Sequence, residues 1–95
     1  MKVIDNHTQD KGVSTFPLFK GSGEVATSLY IKKGHELKEH VSKAPAILIC
    51  IEGSCVFESE EGVKEPLTNG AYVHIPANIK HKVTANENST LLLLK

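Results

Sequence analysis

The stretch GAYVHIPANIKH, Gly70–His81, decides how this chain is read. Its first half alternates with period two: Tyr72 and His74 on one side, Val73 and Ile75 on the other, the pattern of a half-buried strand. Pro76 cannot donate to a strand ladder and ends the run. Pro76-Ala77-Asn78 then form a tight turn. His81 opens the next β-rich run, HKVTA, and a return through such a turn aims its side chain toward the interior of a β-structure.

The same rhythm extends in both directions. Turn signals recur at Gly12, Gly21–Gly23, Gly34, Gly53, Gly62, Thr68–Gly70, Pro76–Asn78 and Asn86–Asn88. Between them lie β-rich runs at 24–33, 46–52, 55–61, 71–75, 81–85 and 90–95. Many short strands at this spacing predict an antiparallel sandwich or barrel. No segment keeps a 3.6-residue apolar period long enough for a substantial helix. HELKEHVSK, 35–43, is the best helical candidate, and it is short and flanked by Gly34 and Pro45. ESEEGVKE, 58–65, reads as a solvated hairpin with no site implied.

Ninety-five residues make one small domain, 1–95, with residues 1–12 as an arm or edge strand and 24–94 as the core barrel. Eleven basic residues, all lysine, balance eleven acidic ones. That balance speaks against nucleic acid or an anionic membrane as partner. Without arginine the chain also lacks the bidentate fork of many phosphate and carboxylate sites. No run of 18 apolar residues offers a membrane span, and MKVIDNHTQDKG has no apolar core of a signal peptide. Two cysteines without an export signal suggest reduced thiols in the cytoplasm. There is no C-x-x-C for a structural zinc site.

If Glu52 and Gly53 are the two residues of a hairpin turn, Ile51 faces Ser54 and Cys50 faces Cys55. The pair then reads as two buried thiols behaving as small hydrophobes. The terminal LLLLK is apolar on both strand faces and needs cover on both. One face meets the core; the other meets a second protomer or the N-terminal arm. With STFPLF, 14–19, it offers more apolar strand surface than one core uses, which predicts a homodimer.

Five histidines occur, at 7, 35, 40, 74 and 81. His7 and His35 are expected at the surface, and His74 as a partly exposed strand residue. In a barrel, metal ligands come from segments distant in sequence, which singles out His40 and His81. Here the chain resembles the cupin superfamily. KKGHELKEHVSKAPAILICIEGSCVF and PLTNGAYVHIPANIKHKVTA resemble its two motifs over residues 24–94. Gly70, Pro76 and His81 match the second motif at full spacing; Gly34, His40 and Gly53 match the first.

The resemblance implies an all-β fold, a small antiparallel jelly-roll barrel (a double-stranded β-helix), dimeric, with its ligand site inside. It also implies where this chain departs. The second histidine of the first motif falls on Ser42 and the glutamate on Ala46, so of three histidines and one glutamate His40 and His81 remain. The function expected is binding of a small molecule inside the barrel, among Leu29, Ile31, Leu48, Cys50 and Tyr72, with His40 and His81 as polar contacts. The alternative is a metal-dependent oxygenase or isomerase acting on a small molecule. One divalent transition metal (zinc, iron, nickel or manganese) would then sit on His40 and His81, with Cys50, Tyr72 or solvent completing the shell. A metal-free acid–base pair of His40 or His81 with Tyr72 or Tyr30 is a third reading. A sensor role beside a separate DNA-binding partner is a fourth.

Overall fold

Alternation and turns translate directly into strands. The structure is a computed structural model describing residues 1–8 and 10–95, with the backbone alone for Glu39 and His40. A 3₁₀ turn, Val3–Asn6, precedes β1 (Val13–Lys20), β2 (Val25–Ile31), β3 (Glu36–His40), β4 (Ala46–Glu52) and β5 (Ser54–Ser59). Then come β6 (Lys64–Thr68), β7 (Tyr72–Ile75), β8 (His81–Ala85) and β9 (Ser89–Leu94). They form two sheets, β1-β2-β9-β4-β7 and β3-β8-β5-β6. Every ladder is antiparallel. The chain crosses between sheets at nearly every connection after β2, which is jelly-roll topology. The all-β jelly roll expected from the sequence is therefore the fold.

One face of each sheet makes the core. In β4 burial alternates, with Ala46, Leu48 and Cys50 inside. In β8 the inward residues are His81, Val83 and Ala85. Leu29, Ile31, Leu91, Phe57, Leu67 and Ile75 complete the packing. Each such fully buried side chain contributes about 1.5–3 kcal/mol relative to exposure.

Four local expectations are corrected. Residues 36–40 of the helical candidate form β3, because Leu37 pairs inward with Val83 on β8 and ladder bonds outweigh a weak helical preference. Second, β4 and β5 are not a hairpin; they lie in different sheets, and the chain turns the corner at Gly53. Gly53 has φ +120°, its N–H donates to Asn69 Oδ1 at 2.8 Å, and a Cβ there would meet Ser89 Oγ at 2.5 Å. Third, of the two expectations for the N-terminal segment, an arm or an edge strand, the edge strand is not formed: Val3–Asn6 is a 3₁₀ turn within an arm. Fourth, His7 is buried, not at the surface. Residues 58–65 do form the expected hairpin: β5 and β6 pair, and Ser59 N–H donates to the Val63 carbonyl.

The leucine run presents apolar residues to both faces of its sheet. Leu91 and Leu93 pack in the core, while Leu94 lines cavities on the outer face of the five-stranded sheet. Among the described residues no helix is long and apolar enough to cross a membrane.

Candidate functional site at the His81 end of the barrel

The turn after β7 is built by Asn78, which adopts the left-handed conformation at φ 64°. Asparagine tolerates that region better than most residues. Asn78 N–H donates to the Ser42 carbonyl at 2.7 Å, tying this turn to the β3–β4 connection. The chain re-enters the four-stranded sheet at His81, opposite Ser59 of β5 on one side and His40 of β3 on the other.

The His40–His81 register depends on an irregularity. Leu37 pairs with Val83, yet His40 and not Glu39 pairs with His81. β3 therefore carries one extra residue between the two pairs, a bulge of the kind that re-aims a strand. The structure thus brings the two histidine positions of the sequence together, directly across neighbouring strands. The His40 side chain itself lies outside the described residues.

His81 is 4% exposed. Its ring lies 5.6 Å from that of Phe57, and Nδ1 donates to the Ile79 carbonyl at 3.1 Å. A carbonyl only accepts, so Nδ1 carries a proton. The inward residues near this end include Ala46, which pairs with Ile75 just before the turn, and Ser59 beside His81.

The other candidate residues fall elsewhere. Cys50 contacts Cys55, and Cys55 pairs with Ala85, four residues along β8 from His81. That is about 13 Å of strand. Cys50 therefore does not join His81 as the sequence proposed. The two thiols do meet, across the sandwich rather than across a hairpin. Both are free and buried. Burial raises the Cys50 pKa, and burial together with Cys50 pushes that of Cys55 up to about 12. Both stay protonated and serve as core. Leu48 is 2% exposed and faces Val73 and Leu93 in mid-core.

Tyr72 points the other way. It pairs with Ile49, on the face opposite Leu48, and is 58% exposed, in edge contact with His74. Tyr30 is buried, yet it too belongs to the outer face, stacked against His7. Both tyrosines lie on the outer face while His81 points inward, so the acid–base pair expected for His81 is not assembled. Sequence reasoning missed Ser59 and Phe57 as neighbours of His81. Their signal was the period-two run from Cys55, and only the β5–β8 register connects it to His81.

Among the described residues no three histidine, cysteine or acidic side chains converge on a point that would hold a metal. A catalytic mononuclear centre uses three protein ligands. The described donors do not supply that set.

Comparison with known proteins agrees with the fold. No curated protein matches the sequence. A conserved protein of unknown function from Streptococcus pyogenes superposes with a TM-score of 0.84 at 21% identity, over 99% of this chain and 82% of that one. KdgF from Halomonas sp. gives 0.80 at 20% identity, over 95% and 88%. A chain from the crystal structures of the DMSP lyases RdDddP and RnDddQII gives 0.79 at 21%, over 86% and 46%. At these identities the likeness is one of fold. The sequence model of the cupin domain matches residues 28–94, most of the two sheets and both motifs around His40 and His81, so this chain belongs to the cupin family.

Proposed function

We propose that this protein binds a small molecule at the His81 end of its barrel. The observation that carries the reading is a buried imidazole oriented by its Nδ1 bond to the Ile79 carbonyl, in ring contact with Phe57 and beside Ser59. An apolar wall with a few convergent polar groups is the usual build of such a site. Similarity in fold to KdgF and to a chain from the DMSP lyase structures adds support. Two free buried thiols fit a reducing compartment such as the cytoplasm.

The test is a thermal-shift screen of small apolar and mildly polar compounds, DMSP included. A ligand at one hundred times its dissociation constant adds about 2.7 kcal/mol. Wild-type protein is expected to shift with a hit, and His81→Ala, checked for folding by circular dichroism, is expected not to. Equal shifts in both proteins would place the site elsewhere. The register of His40 opposite His81 favours a second reading, a metal-dependent oxygenase or isomerase. Elemental analysis after exposure to zinc, iron, nickel or manganese separates the readings. Stoichiometric metal lost in a His40→Ala, His81→Ala double variant supports the second; no metal in either protein removes it.

The partner most compatible with the surface is a second copy of this chain. The outer face of the five-stranded sheet keeps a cavity of about 340 Å³ lined by Phe19, Val25, Ala26 and Leu94, beside one of about 310 Å³ reaching Ile47 and His74. Phe19 is 66% exposed. In a two-fold dimer the same patch of each copy would meet its counterpart. Light scattering at micromolar concentration is expected to report a dimer, and Phe19→Glu a monomer. A wild-type monomer would end the proposal.

A further inference from the structure

The N-terminal arm touches the barrel in an uneven way. Its 3₁₀ turn has no buried residue. Cavities of about 300 Å³ and 250 Å³ flank it, one against Ile51, Glu52 and Thr90, the other against Leu18. Among the described residues of 1–12, His7 alone is buried. Its Nδ1 is hydrogen-bonded to Ser14 Oγ of β1, and its Nε2 to Ser28 Oγ of β2 at 2.6 Å. Its ring stacks on Tyr30 with centroids 6.0 Å apart. Ser28 and Tyr30 are themselves buried beneath it.

The chemistry of this pin is specific. A neutral imidazole has one donor and one acceptor, and each hydroxyl can take either role, so every polar atom is satisfied without charge. A protonated ring must donate from both nitrogens and carry a charge out of water. The groups that face it are Ser14 from β1 and Ser28 and Tyr30 from β2. Glu52 from β4 and Thr90 from β9 border the cavity under Met1–Ile4. On the arm itself, Asp5 is engaged by the Lys2 backbone N–H at 2.7 Å. Among the described residues no carboxylate pairs with His7, so nothing compensates a positive charge there.

We propose that His7 is an acid-released latch: neutral, it pins the N-terminal arm over Ser28 and Tyr30; protonated, it lets the arm go and uncovers that end of the outer face. Burial lowers the His7 pKa, which agrees in direction. The sign follows from linkage. A docked state with a lowered pKa holds fewer protons than the free arm, so docking is at full strength above the free histidine value of about 6.5. It weakens as pH falls below that value, until the docked pKa is passed.

Amide exchange followed by NMR from pH 7.5 to 5.5, corrected for intrinsic rates, tests this. The reporters are the Asp5 and His7 amides, which donate to the Lys2 and Ile4 carbonyls. Their protection is expected to fall by up to about tenfold per pH unit below about 6.5, while Cys50 N–H, bonded to the Ala71 carbonyl in the barrel, keeps its own. His7→Gln offers similar hydrogen-bonding atoms and cannot titrate. A flat profile in His7→Gln, protected or not, assigns the pH response to His7. A wild-type profile without the fall, or the same fall in His7→Gln, overturns the latch.

Discussion

Gly53→Ala is expected to lower the stability of this domain by about 3 kcal/mol, most of it from backbone that has nowhere to move. Gly53 sits at φ +120°, where a side chain is strained whatever the space. A Cβ would also lie 2.6 Å from the Asn88 carbonyl oxygen and 2.7 Å from Ser89 Cα. Those are backbone atoms, so no rotamer change relieves the contact. Ser89 Oγ, 2.5 Å from the same Cβ, accepts from Ser54 N–H and donates to the Glu87 carbonyl, and moving it breaks that network. Domains of this size have total stabilities near 5–15 kcal/mol, and each kcal/mol moves the melting point by about 4–8 °C. Thermal denaturation should therefore show a fall of more than about 10 °C. A change within about 2 °C would mean that the corner between the sheets relaxes freely.

Phe57→Ala is expected to cost about 3–5 kcal/mol, the usual range for deleting a buried ring. Phe57 is 2% exposed, belongs to the core and pairs with Val83, two residues along β8 from His81. Its loss removes buried apolar area and leaves a cavity. It also removes the ring against which the His81 imidazole rests. Urea denaturation should report the lost stability, and the ligand-induced thermal shift should shrink with it. Phe57→Leu, which keeps most of the volume, is expected to recover most of the stability. Full stability in Phe57→Ala would show that the core does not depend on this ring.

The histidine pair illustrates how far local pattern reaches. His81 was legible because Pro76 and the PAN turn are local signals, and β8 runs over the very residues, His81–Ala85, that alternation marks. His40 was legible only through the motif. Its neighbourhood carries a single inward apolar residue, Leu37, and a nine-residue stretch with no strong period of either kind. Neither helical preference nor strand preference settles such a segment; pairing with β8 does. The bulge that sets His40 opposite His81 has no signature in β3 itself, because it is a property of two strands in register.

Period two states which residues share a face, but not which face is inside. That is why Tyr72 could be counted among pocket residues. The deciding fact is that Ile75 and Val73, one register step away, pack against β4 and the core. Cys50 and Cys55 were rightly expected to touch, for a reason the fold replaces: they meet across two sheets joined at Gly53. His7 was the most opaque case. Seven residues into a polar arm, nothing around it in sequence indicates that Ser14 and Ser28 converge on it from two strands.

The sequence by itself determined β2, β4, β5, β7, β8 and β9, the turn signals between them, the all-β class and the second motif that ends at His81, because side-chain alternation and turn chemistry act over a few residues. Tertiary structure alone decided which strands are neighbours, which face of each is buried and what surrounds each histidine. Those outcomes depend on contacts between segments tens of residues apart, beyond the turn geometry that fixes register within a single hairpin.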